Sequence, residues 1–407
     1  MLNRMGMGMT TGRAYEVFAT GFRLGLTSFG GPIAHLGYFE RTYVRERQWL
    51  SGEEYTRLVG LCQLLPGPTS SQVGFLIGFH RGSWLGALAA WVGFTLPSAM
   101  LMYAFALLTP RVHGPLSQAL FHGLMLAAVA VVAQAVWSMA RSSCPDWRRR
   151  SIAVLAVVLL LCFSGVAIQF AAMLLGAIGG WFLCRQVLPP AQAIPSDIPV
   201  RIAWFALAGF GILLLVLTVA ASFVPHGPVA LANVFYRAGA VVFGGGHVVL
   251  PLLREGLVPN GWISDDSFLA GYGFAQSMPG PLFTVAAYLG AVSAPDHASA
   301  LWAIVALVAL FLPGLMLAIA GLTLLRRLTH LNGVPAILAG VNASVVGILG
   351  AALYSPVWIN AVHAGSDAVV AIVGFAFLER WRTAPVVVVL LSVLAAVVSG
   401  WFSGARI

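Results

Sequence analysis

The chain has 407 residues, 59% hydrophobic and only 9% charged, with a mean hydropathy of +0.91; a soluble domain averages about 25% charged, so one this apolar would have no surface. The net charge of +9 does not mark a nucleic-acid face, because the arginines are scattered in short loops between apolar stretches and report topology instead. A lipid bilayer is the expected partner, and nucleic acid is not.

In chain order, the first dozen residues, with Arg4 and Arg13, lack the apolar core and cleavage site of a signal peptide, so the first span is expected to be retained. Candidate spans, most of them near the length that crosses roughly 30 Å of hydrocarbon, follow at 15–34, 54–79, 83–108, 116–140, 151–165, 167–184, 201–224, 228–248, 267–291, 298–325, 335–355, 367–378 and 384–402. These thirteen predict an all-α polytopic membrane protein. The fifth and twelfth are short, and the second contains Pro66-Gly67-Pro68, so partial or re-entrant segments stay open. The Pro-rich stretch 188–200 divides the chain into an N-terminal repeat (1–187), a linker with a central span (188–226) and a C-terminal repeat (227–407). Cys62, Cys144, Cys162 and Cys184 lack CxxC or Cys/His metal spacing and read as reduced packing residues. No lysine occurs, which codon usage explains better than function does.

The division rests on an internal repeat. Phe22, Arg23, Gly25, Phe29, Gly30 and Gly31 return as Tyr236, Arg237, Gly239, Phe243, Gly244 and Gly245, an offset of 214 (237 − 23). After a one-residue slip, Trp49, Ser51, Gln63 and Pro66-Gly67-Pro68 match Trp262, Ser264, Gln276 and Pro279-Gly280-Pro281. Weaker echoes are Pro97 with Pro313 and His122-Gly123 with Ala339-Gly340. Six spans plus the central one precede the second repeat, and an odd number of crossings inverts it. With the N-terminus in the cytoplasm, fourteen arginines fall inside and six (Arg41, Arg45, Arg47, Arg57, Arg111, Arg406) outside, the expected bias. Arg41, Arg45 and Arg47 fit poorly and would move inside if 54–79 were re-entrant.

Inverted repeats place a substrate near the midplane, on helices interrupted at corresponding positions of both halves. Pro-Gly-Pro breaks a helix, since proline lacks a donor and clashes with the preceding turn, and broken backbone at depth must be buried or line a wet cavity. The fragment beyond the break begins with free N–H groups and a positive dipole end, which suits an anion. Thr69, Ser70, Ser71 and Gln72 follow the first break, Thr284 the second, and Gln63 and Gln276 precede them. These neutral donors hold an oxyanion without a fixed countercharge; the competing explanation is that they satisfy broken helix ends and that glycines pack helices.

Arg23 and Arg237 are repeat equivalents well inside spans. A charge at membrane depth is a functional candidate by default, with snorkelling to the interface as the rival. Ser51-x-x-Glu54 reads as a capping box, and Glu53, Asp265 and Asp266 as first-turn acids. Few acids remain for a cation path. His35 and His247 follow the two Phe-Gly-Gly elements and suit proton coupling or a satisfied interfacial role. Gln134, Asn342 and Ser344 add polar lining or bridge helices.

The runs Phe29-Gly-Gly-Pro-x-Ala-His35, Cys62-Gln-Leu-Leu-Pro-Gly-Pro68 with Ser70-Ser71-Gln72, and Phe94-Thr-Leu-Pro97 resemble the N-terminal half of the chromate ion transporter family. Phe243-Gly-Gly-Gly-His247, Gly261-Trp262, Ala275-Gln276-x-x-Pro279-Gly-Pro281 and Ala287-Tyr288-Leu-Gly290 resemble its C-terminal half. The resemblance implies a long, two-domain member of the bacterial inner membrane that exports chromate and confers resistance, with no cofactor and no enzymatic step. It does not separate chromate from sulfate, both tetrahedral dianions, and a homodimer is compatible with it. A chromate-reducing enzyme is the alternative from another class, but no phosphate loop, haem ligand pair or thiolate cluster supports it. No Walker-type loop points to ATP. Moving a dianion out of a negative interior recovers about 4.6 kcal/mol at 100 mV, so potential-driven uniport suffices and proton coupling is optional.

Overall fold

The computed structural model describes residues 2–28, 31–108, 115–163, 166–184, 198–242, 249–295, 299–328 and 333–402, which hold helices and no strand. The first half comprises α1 (Leu2–Thr27), α2 (Gly31–Phe39), α3 (Gly52–Leu64), α4 (Thr69–Leu108), α5 (Pro115–Ser143), α6 (Trp147–Cys162) and α7 (Val166–Leu183). Then come α8 (Val200–Phe223), α9 (Pro228–Val241), α10 (Val249–Leu257), α11 (Asp265–Ser277), α12 (Val285–Val292), α13 (Ser299–Leu328), α14 (Val334–Ala352), α15 (Ile359–Ala361), α16 (Gly365–Arg380) and α17 (Pro385–Phe402). Among the described residues five helices are long and apolar enough to cross a membrane: Thr69–Leu108, Gln118–Arg141, Val200–Phe223, Ser299–Thr323 and Pro335–Ala361. Phe205, Leu215 and Phe223 on α8 are exposed, an apolar face suited to lipid rather than water.

Local chemistry sets the helix starts. The expected capping box is present: Glu54 N donates to Ser51 Oγ at 3.2 Å and Ser51 N to Glu54 Oε2 at 2.8 Å. Ser264 accepts from Ser267 N at 3.3 Å, while Asp265 also takes a forked ion pair from Arg254 at 2.7 and 2.8 Å. Asp146 caps α6, and the Arg149 amide and guanidinium hold its carboxyl below the usual range.

Beside these five, three shorter apolar helices stand among the described residues (Ala167–Leu183, Leu282–Val292 and Pro385–Ser399), where thirteen spans are expected. Helix α4 folds back at Gly82 and Ser83, so that Gly78 lies against the Gly86 carbonyl. Its second limb (84–108) runs beside α1 in the same direction, with Gly82 near Ala14 and Gly25 against Phe94 and Pro97. The chain then doubles back: Arg47 and Arg81 both bind Glu16, at 3.3 and 3.0 Å, and Arg81 lies over the Trp49 ring. The segment 52–81 thus begins and ends at one level, with Pro66-Gly67-Pro68 between. The second half repeats the manoeuvre, since Trp262, the counterpart of Trp49, packs on both His226 before α9 and Trp302 at the start of α13. Segments 54–79 and 267–291, each interrupted by its Pro-Gly-Pro element, thus fit the re-entrant alternative that the sequence leaves open.

The halves are interleaved. The second limb of α4 and α13 run antiparallel, with Tyr103 bonded to Ser299 (3.1 Å) and Trp91 against Phe311. Helix α5 lies on α16 and α17: Gly123 abuts Val393, and Trp137 and Arg141 both donate to Glu379 at 3.0 Å. Helix α14 lies on α6 and α7, with Gly340 against Gly176 and Gly180, and Gly347 against Ala153. Such small-residue seams bring backbones together where lipid offers no hydrophobic drive. Gly340→Val should therefore lower the melting temperature of the detergent-purified protein by several degrees, whereas Gly211→Val on α8, with nothing within 4 Å of the new Cβ, should leave it unchanged.

Candidate functional site

The two Pro-Gly-Pro elements meet the opposite half in matching ways. Gly67 N donates to the Val242 carbonyl at 2.6 Å, and Gly280 N to the Ser28 carbonyl at 2.8 Å. Gly67 matches Gly280 in the repeat, and Ser28 matches Val242, so the bonds are reciprocal. The surroundings are reciprocal too: Gly67 abuts Gly314, which follows Pro313, and Gly280 abuts Ser98, which follows Pro97. Both glycines have positive φ, +122° and +93°, which side-chain-bearing residues rarely adopt. The Gln72 amide donates to the Pro66 carbonyl (2.8 Å) and the Gly314 carbonyl (2.9 Å), tying the first break to α13.

Around this crossing lies a buried polar cluster that holds no carboxylate among the described residues. His35 Nδ1 is 3.3 Å from Ser70 Oγ, and its ring packs edge-on against Phe94. Ser98 Oγ donates to the Thr95 carbonyl at 3.2 Å. Ser28 Oγ, His35 Nε2, Ser71 Oγ, Gln72 Oε1 and Thr95 Oγ1 are buried with no hydrogen-bond partner. Leaving such a group unsatisfied costs about 1–3 kcal/mol, so the cluster is suited to water or a polar ligand. Among the described residues the repeat partners of Ser28, Ser70, Gln72 and Ser98 are Val242, Phe283, Val285 and Gly314, while Ser71 is matched by Thr284.

The sequence candidates distribute unevenly. Thr69, Ser70, Ser71 and Gln72 are buried beside the crossing, but the Gln72 amide is spent on backbone carbonyls. Thr284 donates its hydroxyl to the Pro281 carbonyl at 2.8 Å. Gln63 is exposed and Gln276 half-buried. Arg23 is exposed on α1, whereas Arg237 is half-buried, 5.7 Å from the Phe170 ring centre. Neither arginine has a carboxylate partner among the described residues, and neither joins the cluster. Gly31 has φ +78°; Gly30, Gly244, Gly245 and His247 lie outside the described residues. Ser28, Thr95 and Ser98 were not singled out from sequence, although Ser98 directly follows the repeated proline. Asn342 Oδ1 and Ser344 Oγ on α14 are buried without partners, and Ser344 packs on Gly176.

Two cavities flank the core. One, about 290 Å³, is lined by Leu36, Gly37, Glu40, Gly52, Tyr55 and Val59, next to His35 in sequence. Another, about 380 Å³, includes Gln169, Arg254 and Glu255.

Residues 15–181 and 229–399 match the sequence model of the family described as chromate transporter. The chain is 29% identical over 395 residues to the chromate transport protein of Pseudomonas aeruginosa, covering 95% of this chain and 91% of the relative. It is 29% identical to a probable chromate transport protein of Synechococcus elongatus (81% of this chain, 82% of the relative) and 25% to the chromate transport protein of Cupriavidus metallidurans (81% and 79%). No solved structure matches.

The crossing predicts unequal costs for two equivalent substitutions. In Gly67→Ala the new Cβ meets Gly314 backbone, in Gly280→Ala the movable Ser98 Oγ, both at 2.7 Å. Both variants should lose about 1–3 kcal/mol from backbone strain, with Gly67→Ala the worse. Ser98→Gly should recover part of the Gly280→Ala loss and none of the Gly67→Ala loss in thermal unfolding.

Proposed function

The chain belongs to the chromate transporter family, and from that premise we propose that it exports chromate across the bacterial inner membrane and confers chromate resistance. The family match across both halves carries this reading. The antiparallel pairing of α4 with α13, and the reciprocal bonds of the two Pro-Gly-Pro elements, support inverted repeats. The repeats are 1–187 and 227–407, joined by 188–226.

In this arrangement α1 to α3 and the first limb of α4 enter from the cytoplasm and return, and α9 to α12 do the same from outside. Five crossings then precede the second repeat, still an odd number. Arg41, Arg45, Arg47 and Arg57 move to the cytoplasmic side, leaving Arg111, Arg254 and Arg406 outside and seventeen loop arginines inside. That bias is stronger than the one from thirteen spans. In a Cys162→Ser background, a cysteine at exposed Arg45 should label from the cytoplasmic side; periplasmic labelling would reject the re-entrant reading.

The oxyanion rests at the crossing on neutral donors: Ser28, Ser71 and Thr95 hydroxyls, the His35 ring, and the free N–H groups at the start of α4. Neutral donors bind a dianion and release it without breaking an ion pair. Arg23 and Arg237, repeat equivalents with no carboxylate partner among the described residues, serve the pathway as forked donors that lysine does not reproduce. Membrane potential alone favours export by about 4.6 kcal/mol per dianion at 100 mV.

Inverted vesicles supply the test. Chromate should accumulate as Cr(VI) when the interior is positive, and sulfate should compete if the site reads only tetrahedral charge. Conversion to Cr(III) without flux would overturn the transporter reading. Arg23→Lys and Arg237→Lys should each lower flux at least about tenfold at matched expression; near-normal flux in both would confine the site to the neutral cluster.

A further inference from the structure

Away from the crossing, His122, His363 and Asp367 each offer a ligand atom, and these atoms lie within 4.8 Å of one another. His122 Nε2 is 3.1 Å from Asp367 Oδ1, and the two imidazoles stack with centres 5.7 Å apart. Asp367 is held ready, because its other oxygen accepts from the backbone N–H groups of His363 and Ala364, both at 3.0 Å. That leaves Oδ1 directed at His122, the outer-sphere anchoring that metal-binding carboxylates use. His122 is on α5 of the first half, while Asp367 opens α16 of the second.

We propose that these three residues bind a zinc-class divalent transition metal, which clamps α5 to α16. Two imidazoles and one carboxylate suit zinc and its neighbours rather than magnesium or calcium, which favour all-oxygen shells. Zinc–ligand bonds of about 2.0–2.1 Å set neighbouring ligand atoms roughly 3.3 Å apart, close to the His122–Asp367 separation, so only His363 must move inward. His363 is exposed and His122 partly so, which gives the ion a route in, and a fourth position remains for water. The clamp joins the two repeats at a seam independent of the chromate reading.

The test uses the full chain, purified in detergent and stripped with chelator, with zinc chloride as the probe. Equilibrium dialysis should find one zinc per chain, and zinc but not magnesium should raise the melting temperature. His122→Gln and His363→Ala should each weaken zinc binding at least about tenfold. The metal-free melting temperature of His363→Ala should equal that of the wild type, since the ring is exposed. Absence of stoichiometric zinc, or undiminished zinc binding in the His122→Gln/His363→Ala double variant, would overturn the site.

Discussion

Two backbone hydrogen bonds, Gly67 N–H to the Val242 carbonyl and Gly280 N–H to the Ser28 carbonyl, organise the centre of this protein. Each joins the tip of a broken helix to the end of a helix in the other half. A bilayer interior supplies no water to satisfy such freed groups, so the breaks persist only because each half completes the other. The requirement reaches outward: glycine at both tips, small residues at Ser98 and Gly314 to admit them, and the Gln72 amide to satisfy two further carbonyls. The two bonds are reciprocal, yet most polar side chains described around them come from the first half.

Much of this was legible in the residues. The offset repeat gave the paired Pro-Gly-Pro breaks and the equivalence of Trp49 with Trp262, and Ser51 with Glu54 gave a helix start. Hydrophobicity gave spans but not their direction, because a stretch such as 54–79 is equally apolar whether it crosses or turns back. Only contacts such as Arg47 and Arg81 on Glu16 distinguish the two, and they join residues far apart in sequence. The misfit of Arg41, Arg45 and Arg47 is the trace that such a reversal would leave in the sequence. Ser28 and Thr95 escaped notice for a related reason: isolated hydroxyls in apolar runs usually bond their own helix, as Thr20 does to the Glu16 carbonyl.

Arg23 and Arg237 show how far a pattern argument extends. Their equivalence follows from the repeat, yet one is exposed and the other lies over Phe170. Sequence position fixes which helix carries a residue; helical phase against its neighbours fixes which way it faces. The neutral cluster needs no such pairing, because its members are gathered by the crossing itself.

The exchange of helices between halves also constrains biogenesis. Helices α6 and α7 are covered by α14, and α5 by α16 and α17, so the glycine seams made first on the ribosome wait for partners made last. A nascent first half must dwell in the bilayer with Gly176 and Gly180 facing lipid until nearly the whole chain has been translated. Premature termination near residue 330 would strand those helices as unpaired surfaces, marking the product for quality-control proteolysis.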